Sequence, residues 1–250
     1  MNLHTPHNAA RMETRLYLDI LPQPDDTTCG PTCLHAVYRY FGRDMGLHQV
    51  ISEVSKLTDG GTLAVMLAAH ALRSGFQATI YTYNVHVFDP SWFSPNGPNL
   101  RERLSAQVEH TSDPKLRQAS QAYIEYLDLG GKLRFEDLTP ALIRKYLKKS
   151  IPILTGLSAT YLHRTAREVS LGSKLAYDDV KGVPTGHFVV LCGYHKEDRT
   201  VLVADPYLPN PISDSQIYQV NIDRLICAIL LGIITYDANL LIIEPRKESK

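Results

Sequence analysis

Residues 29–37 read Cys29-Gly30-Pro31-Thr32-Cys33-Leu34-His35-Ala36-Val37, and this stretch sets the expectations for the whole chain. Proline is well tolerated only in the first turn of a helix, so Pro31 indicates that a helix begins close to Cys29. Apolar residues then recur at helical spacing as far as Phe41, and Gly42 follows them as a suitable helix end. We therefore expect a core helix over 29–41 with Cys29 at its first position.

The position of Cys29 favours a reactive thiol over a structural one. Unpaired backbone N–H groups and the positive end of the helix dipole stabilise a thiolate, and a thiolate beside a base is a ready nucleophile. Gln23 stands six residues earlier, where its amide could donate to an oxyanion. The alternative is that Cys29 is a small buried residue, as unpaired cysteines usually are. Cys33 lies one turn further along and is expected to be structural, facing the core.

A second pattern predicts a base and the carboxylate that orients it. The apolar run that begins at His187 and the run 200–204 flank the polar turn 195–199, which predicts a β-hairpin. The midpoint between His187 and Asp205 falls inside that turn, so both side chains should meet at the open end of the hairpin. A carboxylate beside an imidazole fixes its tautomer and stabilises the imidazolium.

Three segments together resemble the papain-like cysteine peptidases: Gln23-x5-Cys29-Gly30-x-x-Cys33-Leu34, Gly186-His187-Phe188-Val189-Val190-Leu191-x-Gly193-Tyr194 and Ala204-Asp205-Pro206. Within that group the chain is most similar to stand-alone relatives of the bacteriocin-leader (double-glycine) peptidases, cysteine-peptidase family 39. Two further segments extend the resemblance: Asp59-Gly60-Gly61-Thr62-Leu63, which is similar to that family's turn into its next helix, and Ile151-Pro152-Ile153-Leu154, similar to the strand before its histidine.

The resemblance implies both a fold and a set of roles. The fold is α+β and papain-like, with a helical N-terminal part and the catalytic cysteine at a helix N-terminus. That helix packs on an antiparallel sheet that carries the histidine and the aspartate. By the same resemblance Cys29 attacks, His187 is the base, Asp205 orients it and Gln23 helps to form the oxyanion hole.

The chain of 250 residues fits one such domain over 13–246, preceded by a flexible tail over 1–12. Two stretches depart from the compact family pattern and are interpreted as insertions, at about 85–138 and 158–185.

Three residues near the expected site are candidates for substrate binding. They are Trp92 in the first insertion, Tyr161 in the second and Gly186 beside His187. Insertions beside a site often become substrate-binding flaps. Two alternatives stay open: core packing for Trp92, and a solvated surface hairpin for 158–185.

Composition narrows the classes of partner. The formal net charge is zero, which argues against nucleic acid and anionic membranes as partners. The most apolar window, 225–236, has only twelve residues, whereas a membrane span needs about twenty. Without an apolar segment near Met1, we expect no signal peptide and a cytoplasmic protein. The four cysteines are interpreted as reduced and, apart from Cys29, buried thiols, and neither zinc nor another cofactor is expected.

The leading functional hypothesis is a cysteine hydrolase that cleaves a peptide or amide bond through a thioacyl intermediate. A papain-like transferase that passes the acyl group to an amine shares the first half-reaction, so the sequence leaves it open. A non-catalytic binding module is disfavoured because all four catalytic positions hold competent residues. The sequence defines neither the substrate, nor a pathway partner that presents it, nor an oligomeric state.

Periodicity predicts the remaining elements. We expect helices over 47–57, 62–74 with Thr62 as N-cap, 99–109, 114–128, 139–149 and 221–233, and strands over 15–20, 76–83, 151–157 and 239–243.

Overall fold

The computed structural model describes residues 14–58, 60–171 and 174–246, so the predicted tail 1–12 and Asp59 lie outside the described residues. The α-helices are α1 (Cys29–Tyr40), α2 (Leu47–Glu53), α3 (Ala64–Arg73), α4 (Leu100–His110), α5 (Pro114–Asp128), α6 (Pro140–Leu147), α7 (Ala159–His163) and α8 (Ile222–Leu231). The strands are β1 (Thr14–Arg15), β2 (Phe76–Thr82), β3 (Lys132–Arg134), β4 (Ile153–Ser158), β5 (Glu168–Leu171), β6 (Lys174–Tyr177), β7 (Gly186–His195), β8 (Thr200–Ala204), β9 (Ile217–Asn221) and β10 (Asn239–Pro245). Two 3-10 helices span Pro90–Phe93 and Gly232–Thr235.

One large sheet organises these elements. Its strand order is β3-β2-β10-β4-β7-β8-β9, and β1 pairs with the far end of β7. All neighbours are antiparallel except β2 and β3, which are parallel. Strand β4 is buried along its whole length and β7 is buried beyond its first residue, because helices α1, α6 and α8 pack against them. The predicted α+β architecture is confirmed.

Helix α1 is held tightly against β7. Its residues from Cys29 to Tyr38 are all buried. A side chain at Gly30 would bring a Cβ within 3.1 Å of the Phe188 ring, so glycine is what allows the helix to approach the strand. The Cys33 thiol donates to the Phe188 carbonyl at 3.2 Å, as expected for a structural cysteine that faces the core. This packing places the start of α1 beside the start of β7.

The two predicted insertions have structure of their own. In the first, α4 and α5 pack on each other, α5 packs on α3, and β3 adds an edge strand to β2. In the second, β5 and β6 form a separate two-stranded hairpin. Two backbone hydrogen bonds between Glu168 and Val183, of 3.0 and 2.8 Å, hold this hairpin against the segment that precedes β7.

The predicted strand over 15–20 is wrong in length, since pairing with β7 stops at Arg15. β4 already occupies that edge of β7 as far as Leu191, so only Gly193 and Tyr194 are left for β1. The chain continues with alternating burial, and Leu16, Leu18 and Ile20 enter the core.

The predicted N-cap at Thr62 is also wrong. Helix α3 begins at Ala64, its N-cap residue is Leu63, and the Thr62 hydroxyl has no hydrogen-bond partner within the described part of the chain. A carboxylate from the other end of the chain replaces the cap, because the Ala64 N–H donates to Asp237 at 3.1 Å.

Other boundaries are shorter than predicted. Helix α2 ends at Glu53 because Val54 is extended, α6 ends at Leu147, and α8 gives way to a 3-10 turn at Gly232. Cys227, expected to be buried, is exposed on α8 because its neighbours Leu225 and Ala228 take the buried face of that helix.

Candidate active site

Cys29 is the first residue of α1 and is 9% exposed. The helix has no side-chain cap and no acidic residue in its first turn. The positive end of the helix dipole therefore lies at the Cys29 thiol.

His187 is the second residue of β7 and lies between Cys29 and Asp205. Its Nε2 is 2.7 Å from Asp205 Oδ1, and its ring lies close enough to the Cys29 side chain for the two groups to interact electrostatically. Since Nε2 is occupied by the carboxylate, Nδ1 is the nitrogen left for the thiol. Burial alone would lower the pKa of His187, but the charges of Asp205 and Cys29 and their hydrogen bonds raise it to about 10. The imidazolium is thus the favoured form at neutral pH.

Asp205 follows β8 directly and is fully buried. Among the described residues, five donors converge on its carboxylate: His187 Nε2 at 2.7 Å and the Tyr207 N–H at 2.9 Å on Oδ1, and the Tyr218 hydroxyl at 2.6 Å, the Asn210 amide at 3.0 Å and His163 Nε2 at 3.3 Å on Oδ2. Burial raises the pKa of Asp205, but the positive charge of His187 and these hydrogen bonds hold it well below its usual range. The carboxylate is ionised and fixed in orientation.

The register of the hairpin explains how Asp205 reaches His187. Strands β7 and β8 pair Val190 with Ala204, and a bulge lies between Leu191 and Gly193. Continuing that register by one pair would set Asp205 opposite Val189, so the contact with His187 is diagonal. Diagonal neighbours across an antiparallel pair lie within reach of long side chains.

Gln23 is tied to the segment that follows Asp205. Its backbone N–H donates to the Pro206 carbonyl at 2.9 Å, and its Nε2 donates to the Asp25 carbonyl at 2.8 Å. An amide nitrogen carries two hydrogens, so one remains available for another acceptor. The Gln23 Oε1 is buried and has no partner among the described residues.

Two cavities flank the pair Cys29 and His187. The larger, of about 400 Å³, is termed the histidine-side cavity; its lining includes Gln23, His163, Glu168, Tyr177, His187 and Tyr207. The smaller, of about 280 Å³, is termed the cysteine-side cavity; its lining includes Cys29, Gly61, Thr62, Phe188, Thr235 and Asp237. Asp26 and Gly186 border both, so the cavities form two sides of one cleft.

Of the three predicted substrate-binding residues, Gly186 alone lines this cleft. A Cβ at Gly186 would lie 2.6 Å from the Thr235 hydroxyl, so the position needs glycine. Trp92 lies in the 3-10 helix Pro90–Phe93, and its ring packs edge-on against that of Phe88, with centroids 6.4 Å apart. Tyr161 lines a separate hollow with Arg224, because α7 packs against α8. The packing interpretation of Trp92 fits the structure better than the binding one.

Sequence reasoning missed the residues that surround Asp205. His163 reaches Asp205 from the second insertion and stacks on Tyr207, with ring centroids 6.2 Å apart. Tyr218 reaches it from β9. Only the presence of a histidine in an insertion beside the site could have pointed to His163.

Neither a metal centre nor a membrane span emerges from residues 14–58, 60–171 and 174–246. No group of three or more His, Cys, Asp or Glu side chains there could hold a metal ion. Likewise, no helix in these ranges has the length and apolar character needed to cross a bilayer.

Comparison with known proteins gives one sequence family and several similar structures. The model of the Peptidase_C39 like family matches residues 15–222. No curated protein matches the chain.

Three crystal structures cover nearly the whole chain at low identity. The double glycine motif protease of an AMS/PCAT transporter, crystallised with its leader peptide, is 14% identical with a TM-score of 0.44, covering 94% of this chain and 96% of that one. A protein of Bacillus anthracis described as a C39-like peptidase is 15% identical with a TM-score of 0.47, covering 94% and 98%. The peptidase domain of Streptococcus ComA, a bifunctional ABC transporter of a quorum-sensing pathway, is 15% identical with a TM-score of 0.41, covering 92% and 100%.

Proposed function

Because the chain belongs to the Peptidase_C39 like family, and is thus a cysteine peptidase-like hydrolase with a papain-like α+β fold, we propose that it cleaves a peptide bond through a thioester on Cys29. The observation that carries the proposal is the placement of His187, which bonds Asp205 through Nε2 and interacts electrostatically with Cys29. This is the arrangement that a nucleophile, a base and an orienting carboxylate require.

The first half-reaction begins with the Cys29 thiolate and the His187 imidazolium. The sulfur attacks the carbonyl carbon of the scissile bond, and negative charge develops on the carbonyl oxygen. The Cys29 backbone N–H and the second Nε2 hydrogen of Gln23 would donate to that oxygen. Collapse of the tetrahedral intermediate breaks the C–N bond, and the leaving nitrogen takes the proton of His187.

The second half-reaction releases the acyl group. Neutral His187 takes a proton from water, the hydroxide attacks the thioester carbonyl, and the C–S bond breaks. The products are a free carboxylic acid and the Cys29 thiolate beside a protonated His187, so protons balance over the cycle. Asp205 keeps the ring in one orientation and stabilises its positive charge in both steps.

A cytoplasmic location is part of this proposal. The structure holds all four cysteines as free thiols. Free thiols persist in reducing compartments, which supports the proposal.

The experiment uses a proteome-derived peptide library and mass spectrometry of its products. The wild-type protein should cleave peptides to products with free carboxylates, with or without added amines. Cys29→Ala should cleave none while keeping its circular dichroism spectrum and melting temperature. The matched control is Cys227→Ser, which removes an exposed thiol on α8 and should leave cleavage unchanged. Full activity in Cys29→Ala would refute the proposal, and products joined to the added amine would favour acyl transfer instead.

A further inference from the structure

The two cavities of the cleft border different members of the reacting pair. The histidine-side cavity is lined by His187 and not by Cys29, whereas the cysteine-side cavity is lined by Cys29 and not by His187. In the reaction proposed above the acyl group stays on sulfur and the leaving nitrogen takes its proton from the imidazolium. This inference rests on that proposed function: the part of the substrate that follows the scissile bond lies beside His187, in the histidine-side cavity.

The walls of the histidine-side cavity are acidic and aromatic. Asp26 borders it from the loop before α1, and Glu168 borders it from the β5–β6 hairpin. Tyr177 and Tyr207 supply two aromatic rings. No lysine or arginine is among its described lining residues. Because His187 and Asp205 form an ion pair that is close to neutral as a unit, Asp26 and Glu168 give the cavity a net negative charge.

The pKa of the Tyr207 hydroxyl is consistent with the net negative charge of the cavity. Burial and the neighbouring Tyr177, Glu168 and Asp26 together raise the pKa of Tyr207 to about 12. All of these neighbours are acidic or phenolic, so both carboxylates act on the same hydroxyl.

The arginines nearest to Glu168 in sequence are directed elsewhere. Arg167 donates to the backbone carbonyls of Asp179 and Val180, inside the loop after β6. Arg164 lines the separate hollow that also holds Arg224. Neither arginine is among the described residues that line the cavity.

We propose that the histidine-side cavity selects peptides that carry a lysine or arginine within the first two residues after the scissile bond. Glu168 and Asp26 are the charge partners, and the exposed ring of Tyr177 accepts the cation. The β5–β6 hairpin thereby acts as a specificity element, since it contributes both Glu168 and Tyr177.

The first test reads the residues that follow each cleaved bond in the peptide library. Peptides with Lys or Arg there should be cleaved with a kcat/KM about tenfold above that of matched peptides with Asp or Glu, the order expected for partly exposed charge pairs. The double variant Asp26→Asn/Glu168→Gln should reduce this ratio to about twofold or less. The matched control is Asp179→Asn, an exposed acid in the same insertion that does not line the cavity, and it should keep the wild-type ratio. Equal cleavage of both peptide classes by the wild type would overturn the inference while leaving the peptidase function intact.

The second test needs no turnover and so separates the two proposals. In a Cys227→Ser background, Cys29 is modified with either of two methanethiosulfonates: the cationic trimethylammonioethyl reagent or the anionic sulfonatoethyl reagent. The rate at which each reagent modifies Cys29 is divided by the rate at which the same reagent reacts with free glutathione. The cationic reagent should be favoured about tenfold in the wild-type cleft, and several-fold less after Asp26→Asn/Glu168→Gln. If no peptide is cleaved but this ratio holds, the peptidase proposal fails and the acidic cavity stands. If the ratio is the same with and without the two carboxylates, the inference fails whatever the peptidase result.

Discussion

Asp205, which bonds His187, and Asp237, which lines the cysteine-side cavity, are both buried carboxyl groups, and their pKa values are displaced in opposite directions. Asp205 is surrounded by donors, among them His187, and its pKa lies well below the usual range. For Asp237, burial raises the pKa to about 7, and the Ala64 N–H at 3.1 Å offsets only part of that effect. One carboxyl group is therefore permanently charged, and the other changes its charge near neutral pH.

The first prediction concerns stability at Asp237. Because its pKa is higher in the folded than in the unfolded chain, its contribution to stability is full below about pH 4 and is lost as the pH rises toward 7. Asp237→Asn resembles the protonated acid and can still accept the Ala64 N–H. We expect the variant to be more stable than wild type at pH 8.5, by on the order of 4 kcal/mol, and by only about 1.5 kcal/mol at pH 5. Urea unfolding at both pH values measures the difference.

The exposed acid Asp179 provides the control for that experiment, since Asp179→Asn should change the free energy of unfolding little at either pH. A loss of stability in Asp237→Asn that is the same at pH 5 and pH 8.5 would contradict the assignment of a raised pKa.

The second prediction concerns the pH profile of the pair His187 and Asp205. Asp205→Asn removes the negative charge that most strongly raises the pKa of His187. The alkaline limb of kcat/KM, expected near pH 10 in the wild type, should move down by more than one pH unit, and kcat should fall on the order of 10³-fold. Kinetics between pH 6 and 10.5 and NMR titration of the His187 ring measure these two effects. The matched control is Asp223→Asn, which removes an exposed carboxylate that pairs with Arg199, and it should leave the profile unchanged. An unmoved alkaline limb in Asp205→Asn would show that Asp205 does not set the charge of the ring.

The sequence was sufficient for the parts of the fold that depend on local pattern. The helix over 29–41 was correct because proline, glycine and helical apolar spacing all act within a dozen residues. The β7–β8 hairpin was correct because a polar turn separates two apolar runs. The length of β1 could not be foreseen, because it depends on how much of the edge of β7 is left by β4, a strand distant in sequence. The cap of α3 failed for a similar reason, since Asp237 lies 173 residues from Ala64.

The residues of the candidate site fall into the same two groups: those that a local sequence pattern marks and those that only the tertiary fold brings together. Cys29, His187 and Asp205 could be named as candidates because each sits at the end of an element with a recognisable pattern, and symmetry about a turn predicts the contact between His187 and Asp205. The side chains that complete the surroundings of Asp205 come from β9, from the loop after β8 and from an insertion. No short-range pattern marks such residues, because only the tertiary fold gives them a common neighbour. Trp92 is the converse case, since a conspicuous aromatic residue packs on Phe88 and its predicted role in substrate binding stays a prediction.

The third prediction concerns His163. Its side chain is 5% exposed, lies 3.3 Å from Asp205 Oδ2 and stacks on Tyr207. We expect it to position Asp205 without contacting the reacting atoms, so His163→Ala should lower kcat about threefold to tenfold with little change in KM. His163→Gln keeps a donor of similar reach and should restore most of the loss. A structural role alone would give no such rescue. A loss in His163→Ala as large as that in Asp205→Asn would instead place His163 in the chemistry itself.

The fourth prediction separates the donor function of Gln23 from its packing. The side chain makes one local bond, to the Asp25 carbonyl, so replacing it should cost little stability. Gln23→Ala should lower kcat about 10²–10³-fold and change KM little, because the missing hydrogen bond forms only when the carbonyl oxygen becomes charged.

Gln23→Glu keeps the size of the side chain but turns the donor into an anion that faces the developing oxyanion. It should be at least as inactive as Gln23→Ala, and melting temperatures near that of wild type would show that neither variant is misfolded. If Gln23→Glu were instead as active as wild type, the amide could not be the donor. The backbone N–H of Cys29 would then have to stabilise the oxyanion with a different partner.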